Sequence, residues 1–359
     1  MLEELTNYYK NKRVLVTGHT GFKGSWLTIW LYMLGAKVTG YALDPKTQKD
    51  NFVLSGIGSK ILDIKGDIRD RKKLIKIFGE TNPEIVFHLA AQPLVLEGYK
   101  DPAYTYETNI LGTVNVLEAI RKTDSVKAGI IVTSDKVYEN KEWIWPYREN
   151  DKLGGHDPYS ASKGATEIVV ASYIKAFFNP KDYNKHKKIV ASVRAGNVIG
   201  GGDWSENRII PDIIRALEKD EVISVRNPLA TRPWQYVLEP LGGYLLLGMK
   251  MLDQPEKYSG AWNFGPEPGN MSSVKELVEL CIDSYGEGKW KDVSDPAALH
   301  EARLLSLDIS KAKYNLGWHP VWGIRDTVKR TMEWYKQYTS RNVYDFCANQ
   351  ITQYLKFWR

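Results

Sequence analysis

The chain has 359 residues, with 49 lysines and arginines against 43 aspartates and glutamates, a formal net charge of +6. This modest excess without a continuous basic stripe argues against nucleic-acid binding and favours a small anionic partner. No apolar run reaches the about 18 residues of a membrane span, and the first residues lack a secretory pattern. The two cysteines imply neither disulfides nor a metal site, so we expect a cytoplasmic protein.

The first informative segment is RVLVTGHTGFKGSW at residues 13–26. An apolar run predicts a buried parallel strand, three glycines follow, and an apolar helical pattern comes next. In a dinucleotide site, Gly18 would permit the tight turn, Gly21 would admit the pyrophosphate, and Gly24 would let the helix lie close to the strand. The spacing Gly-x-x-Gly-x-x-Gly is one residue off the usual fingerprint, so a tight turn without a ligand remains the alternative.

Two acidic residues follow the next predicted strands. After a strand at 36–41, Asp44 lies 20 residues beyond Gly24, where a carboxylate accepts hydrogen bonds from the adenosine ribose. This position favours NAD over NADP. After a third strand at 61–64, Asp67 is expected to meet the adenine amino group or to cap the next helix.

Strand and helix patterns continue to alternate through the first half of the chain. Further strands are predicted at 84–88, 128–133 and 189–194, and a segment at 262–265 resembles a strand that returns to the sheet. The alternation predicts an α/β fold, a Rossmann-like doubly wound parallel sheet. Because ligands bind at the carboxyl ends of such strands, the residues after each strand are the candidates for a site.

Beyond about residue 200 the alternation breaks, which predicts a smaller mixed α/β C-terminal lobe. We assign residues 1–196 plus 231–265 to a dinucleotide-binding domain. Residues 197–230 plus 266–359 are assigned to a substrate domain. Two lobes leave a cleft, where a second ligand belongs. The sequence assigns no role to the aromatic tail at 344–359.

Tyr159 and Lys163 stand four residues apart at the start of a predicted helix and share one face. A lysine ammonium lowers the pKa of a nearby phenol, so the tyrosine can take a hydroxyl proton while hydride leaves to a nicotinamide. Ser134, after the fifth strand, is placed to hydrogen-bond the same hydroxyl. The pattern Tyr-x-x-x-Lys is common in helices, so chance is the alternative for the pair alone.

Together with LAAQ, TSDK, PYSASK and VRAGNVIGGGDW, the glycine turn TGHTGFKG resembles the extended short-chain dehydrogenase/reductases. Within that superfamily the chain is similar to the CDP-glucose 4,6-dehydratases, from about residue 12 to about residue 330. The resemblance implies a tightly held NAD, CDP-glucose as the nucleotide-sugar substrate, and a helix-bundle homodimer, alone or as a dimer of dimers. It also implies a role in dideoxysugar synthesis for the O-antigen of lipopolysaccharide.

The resemblance further implies a reaction in three stages. Tyr159 takes the proton of the C4 hydroxyl as hydride passes to NAD, water is then eliminated across C5 and C6, and hydride returns to C6. Asp135 matches the family's acid. Lys136 stands where dTDP-glucose and GDP-mannose relatives carry a glutamate base, so either Lys136 is the base or it holds Asp135 while another group moves the proton.

The same resemblance marks residues for the two ligands. Those marked for NAD are Gly18, Thr20, Gly21, Phe22, Lys23, Gly24, Asp44, Asp67, Ile68, Leu89, Ala90, Ala91, Gln92, Asn109, Thr133, Tyr159 and Lys163. Those marked for the nucleotide sugar are Ser134, Asn197, Trp204, Arg208, Arg232 and Arg303. Arg232 matches the family's phosphate-binding position most closely, since a guanidinium binds phosphate oxygens in pairs. A salt bridge is the alternative for each arginine.

One stretch departs from the family pattern. Where the CDP-glucose branch reads Leu-Val-Arg-x-Ser-Tyr, this chain has the sequence LVLEGY at residues 94–99. The loss of an arginine and a hydroxyl beside the expected sugar pocket leaves the accepted hexose open. A 4,6-dehydratase of another nucleotide sugar, a nucleotide-sugar 4-epimerase and a binding protein without catalysis remain as alternatives.

Overall fold

The computed structural model describes residues 1–267, 271–295 and 304–358. The strands are β1 (Arg13–Thr17), β2 (Lys37–Ala42), β3 (Leu62–Lys65), β4 (Ile85–His88), β5 (Ala128–Val132), β6 (Ile189–Ala195), β7 (Val198–Ile199), β8 (Ile223–Val225), β9 (Thr231–Arg232), β10 (Gln235–Tyr236), β11 (Gly260–Phe264), β12 (Ser272–Ser273) and β13 (Trp290–Asp292). Within the described ranges, seven of them form one parallel sheet in the order β11-β6-β5-β4-β1-β2-β3. This sheet confirms the predicted fold class.

The order of the strands reverses between β1 and β4. The two strands pair directly, and Leu89 donates a backbone hydrogen bond to the Thr17 carbonyl at 3.1 Å just beyond them. Ligands of open α/β sheets bind at such a reversal, outside the carboxyl ends of the strands. The predicted return of the chain near residue 262 is confirmed, because β11 pairs in parallel with β6.

Helices cover both faces of the sheet. They are α1 (Leu2–Tyr9), α2 (Phe22–Met33), α3 (Asn51–Leu54), α4 (Arg71–Thr81), α5 (Val95–Lys100), α6 (Pro102–Tyr106), α7 (Gly112–Lys122), α8 (Pro158–Phe177), α9 (Tyr183–His186), α10 (Ile209–Leu217), α11 (Leu238–Lys250), α12 (Pro255–Tyr258), α13 (Val274–Tyr285), α14 (Ile324–Gln337) and α15 (Val343–Phe357). In residues 1–267, 271–295 and 304–358, none of them combines the length and apolar character that crossing a membrane requires.

The aromatic tail, to which the sequence assigns no role, forms α15 and packs against α2. Trp30 of α2 meets Tyr354 and Trp358 edge to face, with ring centroids 5.7 Å and 6.1 Å apart. All three side chains are buried. Each such aromatic removes a large apolar area from water, so the tail is part of the main core.

A buried carboxylate joins α11 to this C-terminal region. Glu239 accepts hydrogen bonds from the backbone N–H groups of Val321 at 3.0 Å and Trp322 at 2.7 Å, and from the Tyr354 hydroxyl at 2.9 Å. Burial raises the pKa of Glu239 to about 7, while these hydrogen bonds act to lower it. The carboxylate therefore holds three chain segments together without a cationic partner among the described residues.

Candidate active site

The glycine turn has the geometry of an anion-binding helix start. Gly18 lies at φ +74°, and a Cβ on it would sit 2.6 Å from the Ala90 nitrogen. A Cβ on Gly24 would sit 2.0 Å from the Gly18 carbonyl oxygen, so α2 can approach the turn only with glycine there. Gly21 caps α2, and no side chain in the part of the chain that the structure describes accepts from the first N–H groups of the helix. These groups are therefore available to a phosphate, and the residues fit a dinucleotide.

The acidic residue after β3 does not cap the next helix. Asp70 is the N-cap of α4 and accepts a hydrogen bond from Lys73 N at 3.0 Å. Asp67 instead accepts from Arg69 N at 2.8 Å and pairs with the Arg69 guanidinium at 2.7 Å. The helix-cap alternative for Asp67 is therefore wrong, because α4 begins at Arg71, two residues later than the start at Arg69 that the sequence predicts.

Three further residues that the sequence marks for NAD, Asp44, Thr20 and Ile68, differ in how exposed their side chains are. Asp44 is exposed, two residues after the end of β2. Thr20 donates a hydrogen bond to the Leu43 carbonyl at 2.9 Å and closes the turn over the end of β2. Ile68 is buried, and its side chain packs where a Cβ on Gly112 would stand. Only the backbone of Ile68 is left to face a cofactor.

Gln92 and Asn109 are joined by hydrogen bonds behind the wall of the cleft. The Asn109 amide accepts from Gln92 N at 2.8 Å and donates to the Gln92 carbonyl at 3.1 Å and to Ser162 Oγ at 2.8 Å. Asn109 lies in a π-helical turn, Glu107–Leu111, between α6 and α7. Such turns are frequent at functional sites, and this one aims an amide at the loop after β4.

Two adjoining cavities, of about 350 Å³ and about 380 Å³, open at the carboxyl edge of the sheet. The first is lined, among others, by Phe22, Lys23, Leu89, Ala91, Thr133, Ser134, Tyr159, Lys163 and Arg208. The second is lined, among others, by Tyr99, Tyr138, Asn140, Glu142, His156 and Ser160. Both are bordered by Val95, Asp135, Lys136, Asn197 and Arg232. The structure therefore brings all five predicted catalytic residues to one cleft.

Tyr159 sits in the first turn of α8, whose start is well specified. Asp157 caps the helix by accepting from Ser160 N at 2.9 Å, and Pro158 occupies the first helical position. Burial raises the pKa of Tyr159 to about 12, although hydrogen bonding by Ser134 and the charge of Arg208 act to lower it. Burial outweighs the neighbouring charges in the protein alone, and the effect of the Lys163 ammonium on the phenol pKa stays a prediction.

Two lysine side chains lie in the cleft, Lys163 buried and Lys23 half-buried. Burial and the mutual repulsion of the ammonium groups lower the pKa of Lys163 to about 7. The pKa of Lys23 is lowered to about 8 by burial and by the nearby Arg208. In the ranges that the structure describes, neither ammonium makes a hydrogen bond or ion pair with a protein group. Both are therefore positioned to receive polar atoms of a ligand.

Asp135 and Ser134 form a short polar unit at the end of β5. The Ser134 hydroxyl donates to Asp135 Oδ1 at 3.0 Å and accepts from Lys136 N at 3.3 Å. Burial raises the pKa of the Asp135 carboxyl, against the charges of Lys136 and Arg232. A carboxyl with a raised pKa retains its proton more readily and can act as an acid. The half-buried Lys136 borders both cavities.

The predicted substrate arginines have different surroundings. Arg208 pairs with Asp203 at 2.8 Å and lies close enough to Tyr159 to influence its pKa. Arg232 borders both cavities and influences the pKa of Asp135. Arg303 lies outside the described residues. The salt bridge predicted as an alternative therefore holds for Arg208, which also faces the cleft.

Trp204 occupies a different place from the expected substrate contact. Its ring packs edge to face on Tyr335 and Tyr338, with centroids 5.4 Å and 5.6 Å away, under the Lys49 ammonium at 4.7 Å. Among the described residues that border the two cavities, Trp204 is not found. The turn Gly200–Gly202 directs the ring into the joint with α14, and the neighbouring Asp203 faces the cleft instead.

The sequence analysis missed a buried ion pair beneath the cleft. Glu167 of α8 and Arg194 of β6 pair at 2.8 Å, and each side chain is 3% exposed. The signal for Glu167 was available, because it follows Lys163 by four residues and therefore lies on the same helix face. Arg194 carried no such signal, because it comes 27 residues after Glu167 and on a strand.

The departure from the family pattern lies in α5, at the lip of the first cavity. Leu96 and Glu97 both line this cavity, and Glu97 also pairs with Lys100 at 2.8 Å. Gly98 packs on the first turn of α8, where a Cβ would stand 3.1 Å from the Tyr159 nitrogen. The residues that replace the family's arginine and serine are therefore in contact with the site.

Comparisons with known proteins agree with this geometry. The family described as GDP-mannose 4,6 dehydratase matches residues 15–331. The chain is 45% identical over 350 residues to the CDP-glucose 4,6-dehydratase of Salmonella typhimurium, covering 97% of this chain and 98% of the relative. The dTDP-glucose 4,6-dehydratase of Streptomyces venezuelae, solved with NAD and TYD, superposes with a TM-score of 0.76 at 23% identity, covering 90% of this chain and 97% of that one. The UDP-glucose 4-epimerase of Thermotoga maritima gives a TM-score of 0.75 at 24% identity, over 91% of this chain and 100% of that one.

Proposed function

Because the chain belongs to the GDP-mannose 4,6 dehydratase family, we propose that it converts CDP-D-glucose to CDP-4-dehydro-6-deoxy-D-glucose with NAD as cofactor. The observation that carries the proposal is the 45% identity to a CDP-glucose 4,6-dehydratase over nearly the full length of both chains. The five predicted catalytic residues on one cleft support it. The enzyme is then a hydro-lyase.

The glycine turn and the first cavity are the proposed NAD site. The free N–H groups at the start of α2 would bind the pyrophosphate, Asp44 the ribose, and Lys163 the nicotinamide half. When bound, NAD accepts a hydride from C4 of the sugar and returns it at C6. The protein's own groups must move the protons that accompany these transfers.

Tyr159 is the proposed base for the C4 hydroxyl, with Ser134 as its hydrogen-bonding partner. In the protein alone the phenol holds its proton firmly, since burial raises its pKa to about 12. A phenolate in this position needs a nearby cation, and Lys163, one helical turn away, is the group placed to supply it. Lys163 acts in this way only while it is charged.

Asp135 is the proposed acid for the departing C6 hydroxyl. Its raised pKa favours the protonated form that an acid requires, and it borders both cavities. Two roles stay open for Lys136: it takes the C5 proton itself, or it holds Asp135 in place while another group takes that proton.

The nucleotide sugar is proposed to lie where the two lobes meet. Arg232, Arg208, Asn197 and Arg303 would bind its diphosphate, and the first two of these carry charges that already act on Asp135 and Tyr159. Residues 1–196 with 231–265 would hold NAD. Residues 197–230 with 266–359 would hold the nucleotide sugar, as the sequence predicts.

We also propose a homodimer built on the helices α6 to α8, alone or as a dimer of dimers. Exposed apolar side chains on this part of the chain support it. They include Tyr106, Leu111, Ile168 and Phe177. Such side chains are expected at a helix-to-helix interface between copies. A cytoplasmic location and a role in making O-antigen dideoxysugars belong to the same proposal.

The test is incubation of the purified protein with CDP-glucose, UDP-glucose, dTDP-glucose and GDP-mannose in separate reactions, with and without added NAD. Mass spectrometry then follows the loss of one water. Loss from CDP-glucose alone is the expected result. Loss from another nucleotide sugar would keep the reaction and overturn the substrate. Interconversion of C4 epimers without loss of water would favour a 4-epimerase, which needs no acid–base pair at C5 and C6 such as Asp135 and Lys136 would provide.

A further inference from the structure

Two hydroxyl groups and one guanidinium group donate hydrogen bonds to one buried carboxylate behind the cleft. Glu167 Oε1 accepts from the Thr133 hydroxyl at 2.5 Å, while its Oε2 accepts from Ser192 Oγ and from Arg194 Nη2, both at 2.8 Å. Burial acts to raise the pKa of Glu167, but Arg194 and these hydrogen bonds outweigh it, so the pKa lies below its usual value. Glu167 is therefore held as an anion.

The donors belong to the elements that build the active site. Thr133 directly precedes Ser134 at the end of β5, and Arg194 lies near the end of β6, which leads to Asn197. Glu167 itself belongs to α8, as do Tyr159 and Lys163. One carboxylate thus ties the strand that delivers the acid to the helix that delivers the base.

Arg194 continues this connection to the wall of the second cavity. Its other terminal nitrogen, Nη1, donates to the Tyr138 hydroxyl at 2.7 Å and to the Glu149 carbonyl at 3.0 Å. The Tyr138 hydroxyl in turn donates to Asn263 Oδ1 at 2.7 Å. The guanidinium is fixed on both sides, so it holds Glu167 in one position.

The titratable groups that face Lys163 come from three elements, α2, α8 and β4. Lys23 of α2 repels its ammonium, and Glu167 on its own helix opposes that repulsion. His88 of β4 is neutral there, because burial and the charge of Lys163 lower its pKa to about 3. Tyr159, one turn earlier on α8, is the fourth titratable group. Glu167 is the anion among these groups.

We propose that Glu167 is a positioning residue for the dehydration: it keeps Lys163 charged and sets Tyr159 and Lys163 in place against Ser134 and Asp135. The inference rests on the proposed function, in which charged Lys163 assists Tyr159. Glu167 touches neither substrate nor reacting atoms in this assignment.

The first measurement is the titration of Lys163 by NMR of lysine labelled at Nζ, in the free protein, with the signal identified by Lys163→Arg. Glu167→Gln removes the anion and keeps the volume. We expect the Lys163 midpoint to fall by about one pH unit or more, since a neighbouring charge at this depth is only partly screened. A midpoint unchanged to within about 0.3 pH unit would overturn the proposal.

The second measurement is the pH profile of dehydration by the same variant. We expect kcat to fall by about tenfold or more with KM within about twofold. We also expect the alkaline limb, on which Lys163 loses its proton, to move to lower pH by about one unit. A uniform loss of kcat with an unmoved profile would mean a structural role and would contradict the proposal.

The matched control is Glu118→Gln. Glu118 of α7 is also a buried carboxylate held by arginines, pairing with Arg121 at 2.8 Å and Arg71 at 3.1 Å, but it does not border either cavity among the described residues. We expect this variant to lose stability while the Lys163 titration and the alkaline limb stay in place. A shift as large as that of Glu167→Gln would overturn the assignment.

Glu167→Asp covers the case in which Glu167→Gln fails to fold. It keeps the charge and the ion pair but withdraws the carboxylate by one methylene. We expect kcat to fall severalfold with KM unchanged and the Lys163 midpoint within about half a pH unit of the wild type. A wild-type kcat would contradict the positioning role. The NMR result needs no substrate, so it stands or falls separately from the proposed dehydratase reaction.

Discussion

Two buried polar regions of this protein are built in opposite ways. In the cleft, the ammonium groups of the buried Lys163 and the half-buried Lys23 make no hydrogen bond to the protein within the described ranges. Behind the cleft, Glu167 accepts three hydrogen bonds, and in α11 Glu239 accepts hydrogen bonds from three different residues. The charged groups of the two regions therefore differ in how many protein partners they have.

This difference separates groups that await a ligand from groups that hold the protein together. A buried charge without a partner is costly, and the low pKa values of Lys163 and Lys23 report that cost. A buried carboxylate that accepts hydrogen bonds from several protein groups makes the surrounding structure more rigid. Substitutions in the two regions should therefore separate into effects on catalysis and effects on stability.

The largest effect is expected for Tyr159→Phe. Removing the hydroxyl removes the proposed base, and general-base catalysis contributes about 10²–10⁴ to a rate. We expect kcat to fall by at least about 10³, with NAD still bound and the melting temperature close to that of the wild type. Activity assays measure kcat, absorbance measures the content of bound NAD, and thermal denaturation measures the melting temperature. An active variant would exclude Tyr159 as the base.

The next effect is expected for Asp135→Asn. An amide keeps the shape but cannot donate the proton that the C6 hydroxyl needs, so elimination should slow by about 10²–10³. The oxidation at C4 should be less affected, and reduced cofactor should accumulate on the enzyme. Rapid-mixing absorbance follows this accumulation. Wild-type turnover would show that another group is the acid.

A loss of stability without a loss of chemistry is expected for Glu239→Ala. The substitution leaves the N–H groups of Val321 and Trp322 and the Tyr354 hydroxyl without their acceptor and opens a cavity. We expect the free energy of unfolding to fall by roughly 3 kcal/mol, with kcat per folded molecule within about twofold. Chemical denaturation measures it. The control is Glu333→Ala, which removes a partly exposed partner of Arg330 and should cost less than about 0.5 kcal/mol.

The smallest effect is expected for Trp204→Phe. The ring packs between Tyr335, Tyr338 and Lys49, so the variant should lose about 1 kcal/mol of stability and keep KM within about twofold. Steady-state kinetics with the nucleotide sugar measure KM, and chemical denaturation measures the stability. A KM raised tenfold or more would restore the expectation that Trp204 contacts the substrate.

The sequence was a good guide to the sheet and to the glycine turn. Strands buried on both faces appear as short continuous apolar runs, as in the VLV of β1 and the AGIIV of β5. β6 is buried throughout although its sequence includes Ser192 and Arg194. Gly18 and Gly24 have the close contacts that their positions predicted. Local patterns of this kind depend on neighbours in the sequence, which a single chain displays.

The features that the sequence missed depend on contacts across the fold. Asn109, in the π-helical turn, donates a hydrogen bond to Ser162 of α8, which comes 53 residues later in the sequence. The direction of the Trp204 ring depends on α14, more than 100 residues away in the sequence. The raised pKa of Tyr159 reflects the depth of the cleft, which a four-residue spacing to Lys163 cannot report.

The packing of α15 on Trp30 has a consequence for how this protein is made. Trp30 precedes its partners Tyr354 and Trp358 by more than 320 residues in the chain. One face of α2 therefore stays uncovered on the ribosome until α15 has emerged. The core around α2 is completed only after the more than 300 residues between these two helices have been synthesised.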